Sequence, residues 1–229
     1  MYEVEYSLPE NIDRIGELFR ILQDISGDAA ACWNASGAEL KQKGLMWVIV
    51  RYDIRLLRKL RPGETLAFQT WASPVRHRMS QRHYLAADEN GECVLSGGGT
   101  WTVVDYDTRS MVDPAERGVS IHGEITGMEQ PRPEVPVRLQ LSSQTDYGVT
   151  ESVLDMNRHM NNTRYFDLVQ NCAQDETDDL TLRRIRAVFS NEAREGETIR
   201  VFWGHEGNTW FFSGEKDTAP CFQIGLEYD

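Results

Sequence analysis

The chain is short of several things. Its 229 residues contain no apolar run near the roughly 20 residues that a membrane helix needs. The opening stretch "MYEVEYSLPENIDR" has no basic segment followed by an apolar one, so no secretory signal is expected. There are four cysteines, Cys32, Cys93, Cys172 and Cys221, widely spaced and without a C-x-x-C pair. That scarcity points to a reduced, cytoplasmic protein and not to a disulfide scaffold. Basic residues are in the minority: 24 Lys and Arg face 36 Asp and Glu, a formal net charge of −12. Such an excess of acid argues against general binding to nucleic acid or to an anionic membrane. No cluster has metal-ligand spacing, and neither a metal nor a cofactor is expected.

What is present suits a sizeable core. Hydrophobic residues make up 40% and aromatics 10%, in a length that fits one large domain or two small ones packed together. Ile12, Ile15, Leu18, Phe19, Leu22 and Ile25 make an apolar stripe that predicts a helix over 12–25, with Asn11 as its N-cap. The small residues of "SGDAAA" would let it continue against a close neighbour. The period then changes. "GLMWVIVRYDIRLL" (44–57) reads as a long strand, buried at one end and one-sided at the other, where Tyr52, Ile54 and Leu56 alternate with Arg51, Asp53 and Arg55. "RPGET" (61–65) is a turn, and "LAFQTWA", "SQRHYLAAD" and "CVLSGGGTWTVVDY" are strands. The "GGG" at 97–99 suggests a bulge or the close approach of a helix.

"EITGMEQPRPEVPVR" (124–138), with three prolines and little periodicity, reads as a linker. After it the pattern recurs. "NNTRYFDLVQNCA" sets Tyr165, Leu168, Val169 and Cys172 on one helical face, "LRRIRAVFSNEA" (182–193) is a strand, and "REGET" (194–198) repeats the earlier turn. Three more strands follow. The shared order of helix, long strand, R-x-G-E-T turn and further strands predicts a duplicated unit. The expected division is 1–123, a linker at 124–138, and 139–229, in an α+β fold.

The stretch "LDMNRHMNN" (154–162) carries more polarity than a helix start needs. Two readings are open on physics alone. It is a capped helix, with Asn161 or Asn162 as the cap, Asp155 as a turn former and His159 as a bystander. Or it is a reaction site, because a helix N-terminus offers free backbone N–H groups to an oxyanion and a histidine beside it can activate water.

The cluster also resembles a family signature. The plant and bacterial acyl-acyl carrier protein thioesterases carry D-x-N-x-H-x-N-N followed by an aromatic, at the start of their second hotdog helix. Asp155, Asn157, His159, Asn161, Asn162 and Tyr165 fit it. "GLMWVIVRYDIRLLRKLRPGETLAFQTWAS" looks like the family's first-repeat strand and turn, and "WTVVDYDTRSMV" is similar to its W-x-x-x-D-x-x-T-R hairpin. The resemblance covers roughly residues 2 to 205 and implies a double hotdog: two tandem repeats forming one continuous antiparallel sheet around two long helices. It implies hydrolysis of fatty acyl-acyl carrier protein, with Asp155, Asn157 and His159 in the active site. A further family glutamate, usually followed by cysteine, falls on Glu192. The cysteine position holds Ala193, which removes a cysteine nucleophile there and leaves attack by water. Whether His159 or Glu192 takes the proton is open. Backbone N–H groups near Asn161 are the oxyanion candidates.

The implied partner is acyl carrier protein, itself acidic. The basic stretches "RLLRKLR" (55–61), "RHRMSQR" (76–82) and "RRIR" (183–186) would have to receive it locally. His77 and His83 are expected on a solvated hairpin and "DETDD" (175–179) in a solvated loop. A tandem repeat supplies its own pseudo-dimer, so a monomer or a homodimer is expected. The rival readings are an acyl-CoA thioesterase and a non-catalytic acyl-binding hotdog module. Retention of both His159 and Glu192 favours catalysis.

Overall fold

The computed structural model describes residues 1–177 and 179–229. The first half runs β1 (Tyr2–Ser7), α1 (Ile15–Ala31), α2 (Gly37–Gln42), β2 (Leu45–Leu56), β3 (Thr65–Ala72), β4 (Met79–Ala87), β5 (Cys93–Asp105) and the short β6 (Met111–Val112). The second runs β7 (Ser143–Gly148), α3 (Asn162–Thr177), β8 (Leu182–Phe189), β9 (Thr198–Glu206), β10 (Thr209–Lys216) and β11 (Ala219–Tyr228). The strands join one antiparallel sheet in the order β1-β3-β4-β5-β2-β8-β11-β10-β9-β7, with β6 beside β5. Read inward from its two ends, the order is the same for each half. The halves meet where β2 lies antiparallel to β8, with Ile54 opposite Ile185.

The helices cover one face of the sheet and touch each other there. Phe19 of α1 stacks on Phe166 of α3, with ring centroids 3.8 Å apart and planes 7° from parallel. One apolar cluster runs through both halves and includes Leu22, Tyr52, Phe68, Val169, Ile185 and Phe212, all of them buried. The glycines at 97–99 serve a close approach of strands, not of a helix. A Cβ on Gly97 would sit 2.2 Å from the Asp53 carbonyl oxygen, and one on Gly99 would sit 2.9 Å from the Tyr52 ring.

Several expectations change. Helix α1 begins at Ile15, not Ile12. Asn11 lies in the turn before it, and Arg14 at the N-cap position offers no side-chain cap. The helix does run on through the small residues to Ala31. The short α2 has no periodic signal; a capping box between Ser36 and Glu39 starts it. The edge strands β1 and β7 were not expected either, and β8 stops at Phe189. Residues 175–177 form the last turn of α3, while Asp178 lies outside the described residues. His77 is exposed in a turn, but His83 is buried in β4.

The proline-rich connection is a strap across the face of the sheet opposite the helices. Gln81 Nε2 donates to the Gln130 and Pro131 carbonyls, and Gln130 N donates to His83 Nδ1 at 3.0 Å. Further along, Glu134 N donates to Asp53 Oδ2 at 3.1 Å. Asp53 is held in turn by Arg184, through Nε at 2.9 Å and Nη2 at 2.8 Å. Alternate residues of "RRIR" therefore face this strap: Arg184 pairs with Asp53 and Glu134, and Arg186 with Glu227.

Candidate active site

The polar stretch before α3 folds around Asp155. Its Oδ1 accepts from Asn157 N at 2.8 Å and from His159 N at 3.4 Å, and its carbonyl accepts from Arg158 N. The carboxylate thus satisfies amides that a tight loop would otherwise leave bare. Arg158 takes φ +62° at the apex. Asn157 Nδ2 stands 3.5 Å from Asp155 Oδ2. Asn161 is the N-cap of α3, its Oδ1 accepting from Thr163 N at 3.0 Å. The expected oxyanion amides are partly used. Asn161 N donates to Val153 O, whereas Asn162 N makes no hydrogen bond among the described residues.

His159 is buried, and its Nε2 lies 3.0 Å from Glu192 Oε2. Glu192 sits in the loop after β8, not on the strand. That loop is tied to the histidine segment by Met160 N donating to Ala193 O at 2.8 Å. Ala193, at the position where the resemblance places the family's cysteine, is fully buried. The four residues singled out in the sequence, Asp155, Asn157, His159 and Glu192, line one cleft together with Asn162 and Tyr165. Its other wall comes from the first half of the chain, through Gln23, Trp47, Ile49 and Trp101.

A fifth residue reaches the pair from that first half. Arg109 Nη1 lies 3.3 Å from Glu192 Oε1, and its Nη2 lies 3.4 Å from His159 Nε2. The hairpin after β5 aims it. Asp105 Oδ1 accepts from Thr108 N at 3.0 Å and from Asp107 N at 3.2 Å, which closes the turn and leaves Arg109 at φ +57°. These hydrogen bonds and Arg117 hold the Asp105 carboxyl at a pKa of about 2. Tyr106 supports the guanidinium, 4.9 Å from its ring centroid. The Nε2 proton of neutral His159 is best donated to Glu192, the shorter contact. Burial pushes the His159 pKa below its usual value; Glu192 opposes this and the Arg109 charge adds to it. The imidazole is therefore neutral at neutral pH.

Sequence reasoning assigned no role to Arg109. The signal was there, in the D-x-x-T-R spacing of Asp105, Thr108 and Arg109, but nothing local says that this hairpin meets a loop 83 residues further on.

Comparison with known proteins settles the lineage. The chain matches the acyl-ACP thioesterase N-terminal domain over residues 2–119 and the acyl-ACP thioesterase C-terminal domain over 138–218. The chain belongs to the acyl-ACP thioesterase family. The acyl-[acyl-carrier-protein] hydrolase FATB2, chloroplastic, of Cuphea viscosissima is 23% identical over 136 residues, 56% of this chain and 33% of the plant protein. The match therefore spans a third of that relative's length. An acyl-ACP thioesterase of Bacteroides thetaiotaomicron superposes with a TM-score of 0.83 at 18% identity, over 100% of this chain and 97% of its own. The 12:0-ACP thioesterase of Umbellularia californica gives 0.81 at 15% identity, over 100% and 96%. The fold is the double hotdog expected of the family.

Within that family fold, none of the four cysteines is paired. Cys172 is half-buried, and burial raises its thiol pKa. The fold also brings up Cys221, whose carbonyl accepts from Ser190 N near the Glu192 loop. It too is buried, with its pKa raised by that burial. Neither thiol has the electropositive, open setting of a nucleophile. Among the described residues, no helix is long and apolar enough to cross a membrane.

Proposed function

We propose that this chain hydrolyses fatty acyl-acyl carrier protein to free fatty acid and carrier, with His159 and Glu192 activating the water. The 3.0 Å contact between the two side chains, at a cleft built from both halves, carries the reading. Water attacks the thioester carbonyl, a C–O bond forms, and the proton passes to the His159–Glu192 pair. The tetrahedral intermediate then collapses, the C–S bond breaks, and the carrier thiolate takes a proton as it leaves. The free amide of Asn162 at the start of α3 is the donor best placed for the oxyanion. Asn157, held by Asp155, presents its side-chain amide to the water or the carbonyl. Arg109 is a positioning residue: it grips the Glu192 oxygen that His159 does not use.

The acidic carrier must find local positive charge, and most of the basic stretches are already engaged. Arg58 pairs with Glu64, Arg183 with Asp229, and Arg184 with Asp53. Arg61 and Arg76, exposed and without an ion-pair partner among the described residues, are better candidates for docking. The four unpaired cysteines suit a reducing compartment such as the cytoplasm.

The test is turnover of purified variants on acyl carrier protein thioesters. His159→Ala and Glu192→Ala should each lower kcat by about 10²- to 10⁴-fold, with the circular dichroism spectrum kept. Near-normal turnover by either variant sinks the assignment. Acid-quenched enzyme should show no acyl mass increment on the intact protein.

A further inference from the structure

The cleft at His159 adjoins a second, more apolar hollow, and the two share Gln23, Trp47 and Trp101. One wall of the hollow is α1. Gln23, Ser26, Gly27 and Ala30 lie on one helical face, about 10 Å from first to last at 1.5 Å per residue. Gly27 is exposed at the rim of the hollow, and a Cβ built there would meet nothing within 4 Å. The other wall is the sheet. Ser80 of β4 stands opposite Trp101 of β5, and Arg82 follows two residues on, facing the same way. From β2, which borders His159, to β4 is two strand spacings, again about 10 Å.

Arg82 is the anomaly of this hollow. It lines the space yet is only 7% exposed. Its hydrogen bond runs from Nη1 to Thr70 Oγ1 at 3.3 Å, and its guanidinium lies 5.5 Å from the Trp33 ring centroid. Both partners are neutral. Among the described residues it forms no ion pair, whereas the buried Arg186 and the mostly buried Arg184 each hold a carboxylate. Arginine does not shed its proton in a protein, so this charge stays in place uncompensated. A buried charge of that kind calls for an anion.

On the thioesterase reading this hollow is the path of the acyl tail; we propose that Arg82 makes it a receptor for a tail ending in a carboxylate, as in the half-thioester of a dicarboxylic acid. The inference rests on the thioesterase reading for its site of entry. An extended chain advances about 1.2 Å per bond, so a path of about 10 Å takes about eight bonds. A plain saturated tail of that length would press hydrocarbon on the guanidinium; a carboxylate would accept two of its N–H groups.

The experiment uses the full chain and carrier thioesters of octanoate, octanedioate and ω-hydroxyoctanoate. The wild type should favour octanedioyl over octanoyl in kcat/KM by about 10- to 100-fold, the scale of hydrogen bonds to a charged partner. Arg82→Gln should bring that ratio near one, and Arg82→Lys should keep part of it. A wild-type ratio at or below one, or a preference for the hydroxyl over the carboxylate, overturns the proposal. Calorimetry with free octanedioate and octanoate reads the pocket without turnover. Gly27→Leu, which adds bulk at the rim of the hollow and leaves Arg82 alone, should weaken octanedioate binding by about the same factor. Binding of octanedioate that depends on Arg82 and Gly27, with no thioester hydrolysed, supports the receptor and refutes the reaction. Hydrolysis of octanoyl thioester with no such binding refutes the receptor alone.

Discussion

Arg109 shows how far one side chain's effect can lie from its own chemistry. Its charge helps to hold the His159 pKa down, so the neutral imidazole persists into mild acid. In the wild type the acid limb of kcat/KM should have its midpoint below about pH 6.5, the ordinary histidine value. Arg109→Met removes the positive neighbour, and the limb should move to higher pH with a lower plateau. Arg109→Lys should restore most of the pH position but less of the rate, because one ammonium cannot span both contacts. A limb that stays put in Arg109→Met would separate the arginine from the histidine. The sequence shows part of this site. Asp155, Asn157 and His159 sit in one nine-residue stretch whose polarity exceeds any capping need. Glu192 emerges only by resemblance, and Arg109 only as the end of a D-x-x-T-R turn with no role attached, because the contacts that join them to His159 are made by tertiary folding.

Among the elements, the strap is the least periodic in sequence, yet it is hydrogen-bonded to β2, β4 and β8. His83 is its pin on β4. With Gln130 N donating to Nδ1, the Nε2 proton goes to Ser73 Oγ at 2.8 Å, so both ring nitrogens are satisfied only when the ring is neutral. Burial lowers the His83 pKa. An unfolded histidine binds its proton at about pH 6.5 and the folded one only at lower pH, so in that window the unfolded state holds more protons. Stability is therefore full above about pH 6.5 and falls as the pH drops through the window. Urea unfolding of His83→Gln, followed across this range, should show a flatter dependence; an unchanged slope would exclude the pin. His159 acts with the same sign, so His159→Gln is the matching control. Helix α1, strands β2–β5 and β8–β11 and the repeat itself were visible as changes of period. The edges were not: β7 is almost wholly exposed, so no buried face imprints alternation on "SQTDYG". "RRIR" reads as surface charge, yet folding turns Arg184 and Arg186 onto carboxylates of β2, the strap and β11.

Across the whole molecule, the two halves share a sheet and a core. Phe166→Ala opens the centre of the helix pair and should cost about 3–5 kcal/mol. Asp53→Ala leaves Arg184 largely buried with only the exposed Glu134 as an acid and should cost a similar amount, about 3–5 kcal/mol. In both variants fluorescence and circular dichroism should still report one coincident transition. A half that melts first would mean the junction contributes less than its contacts imply. That junction also sets an order of events during synthesis. Strand β2 is made early, and β8, which must lie against it, only after the strap, β7 and α3 have been translated. Until then the growing chain carries an open strand edge, with backbone N–H and C=O groups from Arg51 to Arg55 awaiting partners. Contacts so distant along the chain close slowly. The nascent first half is thus the form most exposed to mispairing with a second copy, and the alternating charges Arg51, Asp53 and Arg55 along that edge guard it while the ribosome completes the other half.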